Sequence, residues 1–397
     1  MNTKKTLIIG IAMYIVSAVG SFILFSNVIS GPIIDAPVPD AQIGADGNVA
    51  FDDSLPKTEA CPLNGAMYSK QQRQWWEKHR PLGIMVENST DARPQSGLST
   101  ADVIYEVVAE GGITRFLAVF HCQNAEYVGP VRSARTYFLD FISEYGDYPL
   151  YVHVGGANCD PSSGSGCANG AKADALGQIR TYGWSRYNDL DQFGVPCPVL
   201  CRYEDRLPNR ATEHTMYTGT SKLWEFAKTE RELTNEDADG NDWTENFVAY
   251  EFKDDAAANS RPSAQTVSFY FWDGYDDFAV SYKYDRATNS YLRSNGGESH
   301  TDLNTKKQLA PKNLVVLFMT EGRANDGYPD NLHMLYGTKG TGNASVFMDG
   351  REIDAKWTKR DRESRLTLTD ASGEEIKFNR GQIWFSVVSP DTDIEVN

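Results

Sequence analysis

Residues Ala101–Cys122 read ADVIYEVVAEGGITRFLAVFHC. Two runs rich in β-branched and aromatic residues flank Gly111-Gly112, a pattern that predicts two antiparallel strands joined by a tight hairpin. Upstream, LGIMVEN (Leu82–Asn88) is a short apolar run of the kind that forms a buried strand. Downstream comes GPVRSARTYFLDFISEYG, in which Tyr137, Phe138, Phe141, Ile142 and Tyr145 recur at helical spacing and Ser133 is a good cap. YPLYVHVGG (Tyr148–Gly156) returns to strand character, and AKADALGQIR and TSKLWEFAKTERE read as helices. Strands alternating with helices define an α/β domain over residues 61–234. NEDADGNDW (Asn235–Trp243) is an acidic break. After it, residues 243–397 hold short strands separated by Gly, Asn and Asp turns, such as VSFYFW, FAVSYKYD, NLVVLFM and QIWFSVV. The chain is therefore expected to be α+β, with a mixed domain followed by a smaller all-β domain.

The N-terminus carries a different signal. Thr6–Ile29 has no charged residue and is long enough to span a bilayer. Lys4 and Lys5 precede it, and Asp35, Asp40, Asp46, Asp52 and Asp53 follow before the next Lys. The positive-inside rule puts residues 1–5 in the cytoplasm, a transmembrane anchor at 6–29, and the rest outside the cell membrane. A cleaved signal peptide is the alternative, though the apolar run is longer than such peptides use. Residues 30–60, rich in Pro, Gly, Ala and Asp, read as an acidic flexible stalk.

Charge excludes some functions. The chain has 38 Lys+Arg against 54 Asp+Glu, net −16, and the part beyond residue 30 carries −18. That excludes a general nucleic-acid binder, which needs surplus cations. Six cysteines suit an exported, disulfide-bonded protein. Short loops favour Cys159–Cys167 and Cys197–Cys201, leaving Cys61–Cys122. A zinc site is the weaker alternative, because no CxxC occurs and no His stands at ligand spacing.

Candidate chemistry concentrates in residues 91–140. Arg93, Arg115, Arg132 and Arg135, with Ser133 at the expected helix start, are groups that pair with phosphate or carboxylate oxygens. Internal pairing with the chain's many carboxylates is the competing reading. Asp91, Glu106, Glu110 and Asp140 are the carboxylates that would hold Mg²⁺, with Asp91 and Glu106 also open to acid–base work; N-caps and ion pairs compete. His153 is expected to be packed in a strand. His214, in the polar stretch NRATEHTMYTG near Arg210, itself a further anion-binding candidate, is the better functional histidine and a catalytic candidate, with a loop-stabilising hydrogen bond as its alternative. No nucleophile–base pair, phosphate-binding loop or zinc-protease motif is recognisable, so whether the protein is an enzyme stays open.

The runs PLGIMVENSTDARPQSGLSTADVIYEVVAEGGITRFLAVF, VGPVRSARTYFLDFISEYG and YVHVGG resemble the YerB-like lipoprotein family, and so do ASVFMDGREIDAKWTK and FNRGQIWFSVV near the C-terminus. The resemblance spans residues 81–390. It implies a bacterial, exported, two-domain protein of a family without assigned function, and it keeps Arg210, His214 and Tyr217 as matches to a family loop. The chain departs from it in two ways: an anchor stands where relatives often carry a lipidated Cys, and cysteines are inserted around Cys159–Cys201. A fainter similarity links Arg93, Ala101-Asp102, Arg132 and Arg135 to the LytR-CpsA-Psr envelope phosphotransferases, by order and residue type. The expected function is a membrane-anchored envelope protein binding an anionic ligand, glycan, lipid-linked phosphate or protein partner through an Arg-rich cleft. The alternative is a Mg²⁺-dependent phosphotransferase or hydrolase acting on polyprenyl-pyrophosphate-linked glycans. A purely structural role in a membrane complex is a third.

Overall fold

The fold is built around the predicted hairpin. In a computed structural model of the chain, which describes residues 5, 13–17, 40–44, 49–159 and 168–397, ten strands form one sheet. In chain order they are β1 (Leu82–Glu87), β2 (Val103–Glu110), β3 (Ile113–Phe120), β4 (Leu150–His153), β5 (Asp189–Asp191), β6 (Asn313–Phe318), β7 (Gly340–Met348), β8 (Arg351–Lys359), β9 (Thr367–Asp370) and β10 (Ile383–Val388). Their spatial order is β9-β8-β7-β6-β10-β2-β3-β1-β4-β5. Gly111 and Gly112 both have positive φ, +53° and +79°, as the two-residue turn between β2 and β3 requires. β1 and β10 are buried along their whole length, which explains why they read as unbroken apolar runs.

Strand alternation divides the side chains between two layers. On one face Tyr105 is stacked between Phe141 of the helix Thr136–Ile142 and Phe385 of β10, with ring centroids 4.6 and 4.7 Å apart. Gly83 permits this helix to come close, since a Cβ there would stand 2.5 Å from Ile142 Cδ1. On the other face lies a second sheet of five short strands, Thr266–Phe269, Val280–Asp285, Ser290–Asn295, Glu298–Ser299 and Glu395–Val396. Its Arg293 meets Glu106 of β2 in a pair with no solvent exposure. The chain is thus α+β, with the expected strands in place beyond residue 243.

The two halves do not form separate sheets, however. β10 pairs in parallel with both β6 and β2, joining the late strands directly to the hairpin. Asp40–Asn397 is one compact unit. The order expected from residue 61 begins earlier, too: Lys57–Ala60 pairs with Met67–Ser69, and Phe51 packs on Trp75 at 5.3 Å. An aromatic residue within the acidic stretch found a partner that composition does not disclose.

Cys61–Cys122 and Cys197–Cys201 are disulfides, as expected. Cys159 is also disulfide-bonded, and Cys167, its expected partner, lies outside the described residues. Apart from Met13–Ser17, so does the expected anchor Thr6–Ile29. Among the described residues no helix is long and apolar enough to cross a membrane.

Candidate functional site

Three of the predicted arginines line one cleft. Arg115, Arg132, Ser133 and Arg135 face Glu110, Asp326, Tyr328 and His333 around a cavity of about 430 Å³. Register and one irregularity build it. Arg115 on β3 stands opposite Glu87 of β1 and Val107 of β2, while Glu106 stands opposite Phe116. Strict alternation would put Glu110 on the Glu106 face. A register shift between Val108 and Glu110 turns it to the Arg115 face instead. Residues Gly129–Ala134 run beside β1, with Arg132 N donating to Met85 O and Ala134 N to Gly155 O. The loop after β6 then folds back onto the hairpin, where Gly111 N donates to Leu332 O.

Each carboxylate at the cleft already holds at least two donors. Glu110 Oε1 accepts from Arg115 Nη2 at 2.6 Å, and Oε2 accepts from Arg135 Nη2 and lies 3.3 Å from His333 Nε2. Asp326 accepts from His333 Nδ1 at 2.7 Å and from the Tyr328 backbone at 3.2 Å. Glu87 accepts from Ser89 Oγ at 3.0 Å and His214 Nδ1 at 2.9 Å. Burial pushes the Glu110 carboxyl up, but Arg115, His333 and Arg135 outweigh it and hold the group well below the ordinary carboxylate range.

The donors are not saturated. Arg115 and Arg135 are 3% and 4% exposed, yet each keeps a buried Nε–H without a partner. Arg132, 24% exposed, touches Glu87 at 3.1 Å through Nε, a contact misaligned for a hydrogen bond, and its two terminal nitrogens have no protein partner among the described residues. Burial, and then the like charge of Arg115, lower the Arg135 guanidinium from its ordinary value, with Glu110 opposing them. Spare donors beside carboxylates that already hold partners suit an incoming anion.

The other predicted roles do not hold together at this cleft. Ser133 does not cap the helix: Arg135 occupies that position, with no side-chain cap bond, and Ser133 instead gives its carbonyl to Arg115 Nη1 at 3.2 Å. Arg93 spends its guanidinium on Asn88 and the Asp277 carbonyl, and burial lowers its pKa to about 10. Asp91 is 65% exposed and stands 3.7 Å from Arg210. Glu106 is sealed against Arg293, and Asp140 is held by Lys339 Nζ at 2.5 Å and by Thr338. Asp91, Glu106 and Asp140 therefore form no common metal site. The only cluster of His, Cys, Asp and Glu with ligand geometry among the described residues is Cys61, Asp102 and Cys122, whose sulfurs are already a disulfide. His214 makes the loop-stabilising bond, and it does so to the carboxylate beside Arg132. His153 is packed as expected, between Gly155 O and Asp189 Oδ1.

Asp326, Tyr328 and His333 were missing from the candidates. The stretch NDGYPDNLHML carries ordinary turn chemistry, and its only signal is a histidine close to aspartates in a Gly/Pro loop.

Comparison with known proteins agrees with this architecture. Residues 66–234 match the N-terminal domain of DUF3048, a protein family of unknown function, and residues 267–385 match its C-terminal domain. The Bacillus subtilis (strain 168) protein named "Putative lipoprotein YerB" is 28% identical over 341 residues, covering 86% of this chain and 90% of that protein. The crystal structure of the YerB protein from Bacillus subtilis superposes with a TM-score of 0.63 at 24% identity, covering 85% of this chain and all of that one. With both domains matched in order and a relative aligned over most of its length, as the YerB-like motifs implied, the chain belongs to the DUF3048 family.

Proposed function

We propose that this protein is a membrane-anchored, extracytoplasmic envelope protein whose Arg115–Arg132–Arg135 cleft binds the anionic group of a ligand, glycan or protein partner. The observation that carries the reading is the mismatch in the cleft: its carboxylates already hold donors, while the Arg132 terminal nitrogens have no partner among the described residues and Arg115 and Arg135 each keep an unpartnered buried Nε–H. The uncharged run Thr6–Ile29 behind Lys4 and Lys5 supports the anchor, and the disulfides suit an exported body. The alternative of a Mg²⁺-dependent phosphotransferase loses support, because Asp91 and Glu106 stand away from the arginines.

Arg132→Ala is the informative variant. Arg132 is the least buried of the three arginines, so its loss should leave the fold intact. Inorganic pyrophosphate, titrated calorimetrically into the detergent-solubilised full chain, is expected to bind about 10- to 100-fold more weakly to the variant, the scale of one or two charge-assisted hydrogen bonds. The melting temperature should change by no more than about 2 °C. Equal affinity in both proteins would remove Arg132 from the site.

A further inference from the structure

The cleft and its rim are close to electroneutral before any ligand arrives. Arg115, Arg132 and Arg135 face Glu87, Glu110 and Asp326, and the carboxylates already hold their partners. An oxyanion entering such a site adds a negative charge that nothing fixed compensates. A charge taken into a partly buried place needs a counter-charge.

His333 is placed to supply one. Its Nδ1 lies 2.7 Å from Asp326 Oδ2, an ionised acceptor, so Nδ1 carries the hydrogen. Its Nε2 has two neighbours of opposite character: Arg135 Nη2, a donor, at 3.0 Å, and Glu110 Oε2, an acceptor, at 3.3 Å. With the ring neutral, Nε2 accepts from Arg135. With the ring protonated, Nε2 must donate, and Glu110 is the acceptor within reach. The second state gives Glu110 a further donor and leaves one Arg135 N–H without its acceptor. The ring need not turn, because Tyr328 is stacked on it at 3.7 Å and Asp326 fixes its other edge. Both states are bonded, so one proton switches the cleft between them.

We infer that the cleft takes up an oxyanion together with a proton on His333. The inference rests on the anion-binding reading of the cleft and adds its regulation: affinity is high with His333 protonated and falls as rising pH removes that proton. The groups facing His333 are Asp326 from its own loop, Glu110 from β2 and Arg135 ahead of the helix, with Arg115 reaching it through the shared Glu110. The second histidine of the site, His214, faces Glu87 behind Arg132 and does not touch Arg135.

Sulfate is the suitable probe, since it does not titrate between pH 5 and 8. Calorimetric titration of the full chain should show sulfate binding about tenfold tighter at pH 5.5 than at pH 8, the effect of one pKa unit of coupling. Proton uptake should appear as a dependence of the binding heat on the ionisation heat of the buffer. His333→Gln, which keeps polarity without titrating, is expected to bind with a flat pH profile. Asp326→Asn, a second variant should the first not fold, should move the rise to lower pH, because the carboxylate that favours the imidazolium is gone. Wild-type binding that is equally strong across the range overturns the inference and leaves the anion site standing. So does a pH rise that persists unchanged in His333→Gln. Absence of sulfate and pyrophosphate binding at every pH overturns the site itself.

Discussion

Arg293→Ala is expected to lower the free energy of unfolding by about 3–5 kcal/mol, the cost of leaving one member of a buried ion pair uncompensated. Arg293 and Glu106 are both 0% exposed, and Arg293 Nη2 reaches the two carboxylate oxygens at 2.8 Å each. Removing the guanidinium leaves a carboxylate to which Thr114 and Trp384 still donate, at 2.9 and 3.1 Å, in a place closed to water. The guanidinium also lies 4.8 Å from the centre of the Trp384 ring, and the substitution abolishes that cation–π attraction as well. Geometry adds to the effect, since Arg293 comes from the five-stranded sheet and Glu106 from the hairpin, so the pair joins the two family segments. Urea unfolding should show the midpoint falling with an unchanged slope. The double variant Arg293→Met with Glu106→Leu should recover a substantial part of the loss, because no charge then remains buried. A loss below about 1 kcal/mol in the single variant would mean that water reaches Glu106 and that the two sheets are joined less tightly than a sealed ion pair requires.

Serine at both Cys61 and Cys122 is expected to cost about 4 kcal/mol, the chain-entropy value for a closed loop of this length. The two cysteines are separated by 61 residues and both are buried. Their bond fastens the segment before the helix Lys70–Trp76 to the end of β3. Asp102 stands beside it, accepting from the His121 and Cys122 backbones at 2.7 and 2.9 Å and from Asn64 at 2.8 Å. Burial raises this carboxyl to about 7, with the backbone donors opposing. Because the N–H donors come from residues flanking the disulfide, loosening the loop should expose Asp102 as well. Thermal unfolding of the variant should therefore occur about 5 °C lower, since a unit of this size (Asp40–Asn397) shifts by only about 1–1.5 °C for each kcal/mol. A variant as stable as the parent would show that the loop is held by packing alone.

Local chemistry made the hairpin, the late strands and the Arg cluster legible. Gly111-Gly112 between apolar runs has few other readings, and turn residues mark each strand after residue 260. The shared sheet was not legible. The pairing of Ile383 with Val103 joins residues far apart in the chain, and strand periodicity says that a segment pairs without saying with what. The same limit shaped the site. Glu106 and Glu110 look equivalent in VIYEVVAE, yet one is sealed behind the sheet and the other lines the cleft, because a single register shift lies between them. Asp91 and Asp140 belong to the right stretch of sequence but to other faces. Asp326 and His333 come from a loop whose local chemistry explains its turns completely, so nothing in it announced a return to the hairpin.

The proposed cleft seats an oxyanion among Arg115, Arg132 and Arg135. A crystal of the protein soaked in tungstate, a heavy and anomalously scattering tetrahedral oxyanion, tests that placement directly. The predicted result is an anomalous peak in the cleft, within hydrogen-bonding distance of the Arg132 terminal nitrogens and of Arg115 or Arg135, that disappears in Arg132→Ala. A cleft without density, in crystals where tungstate occupies other sites on the same molecule, would contradict it.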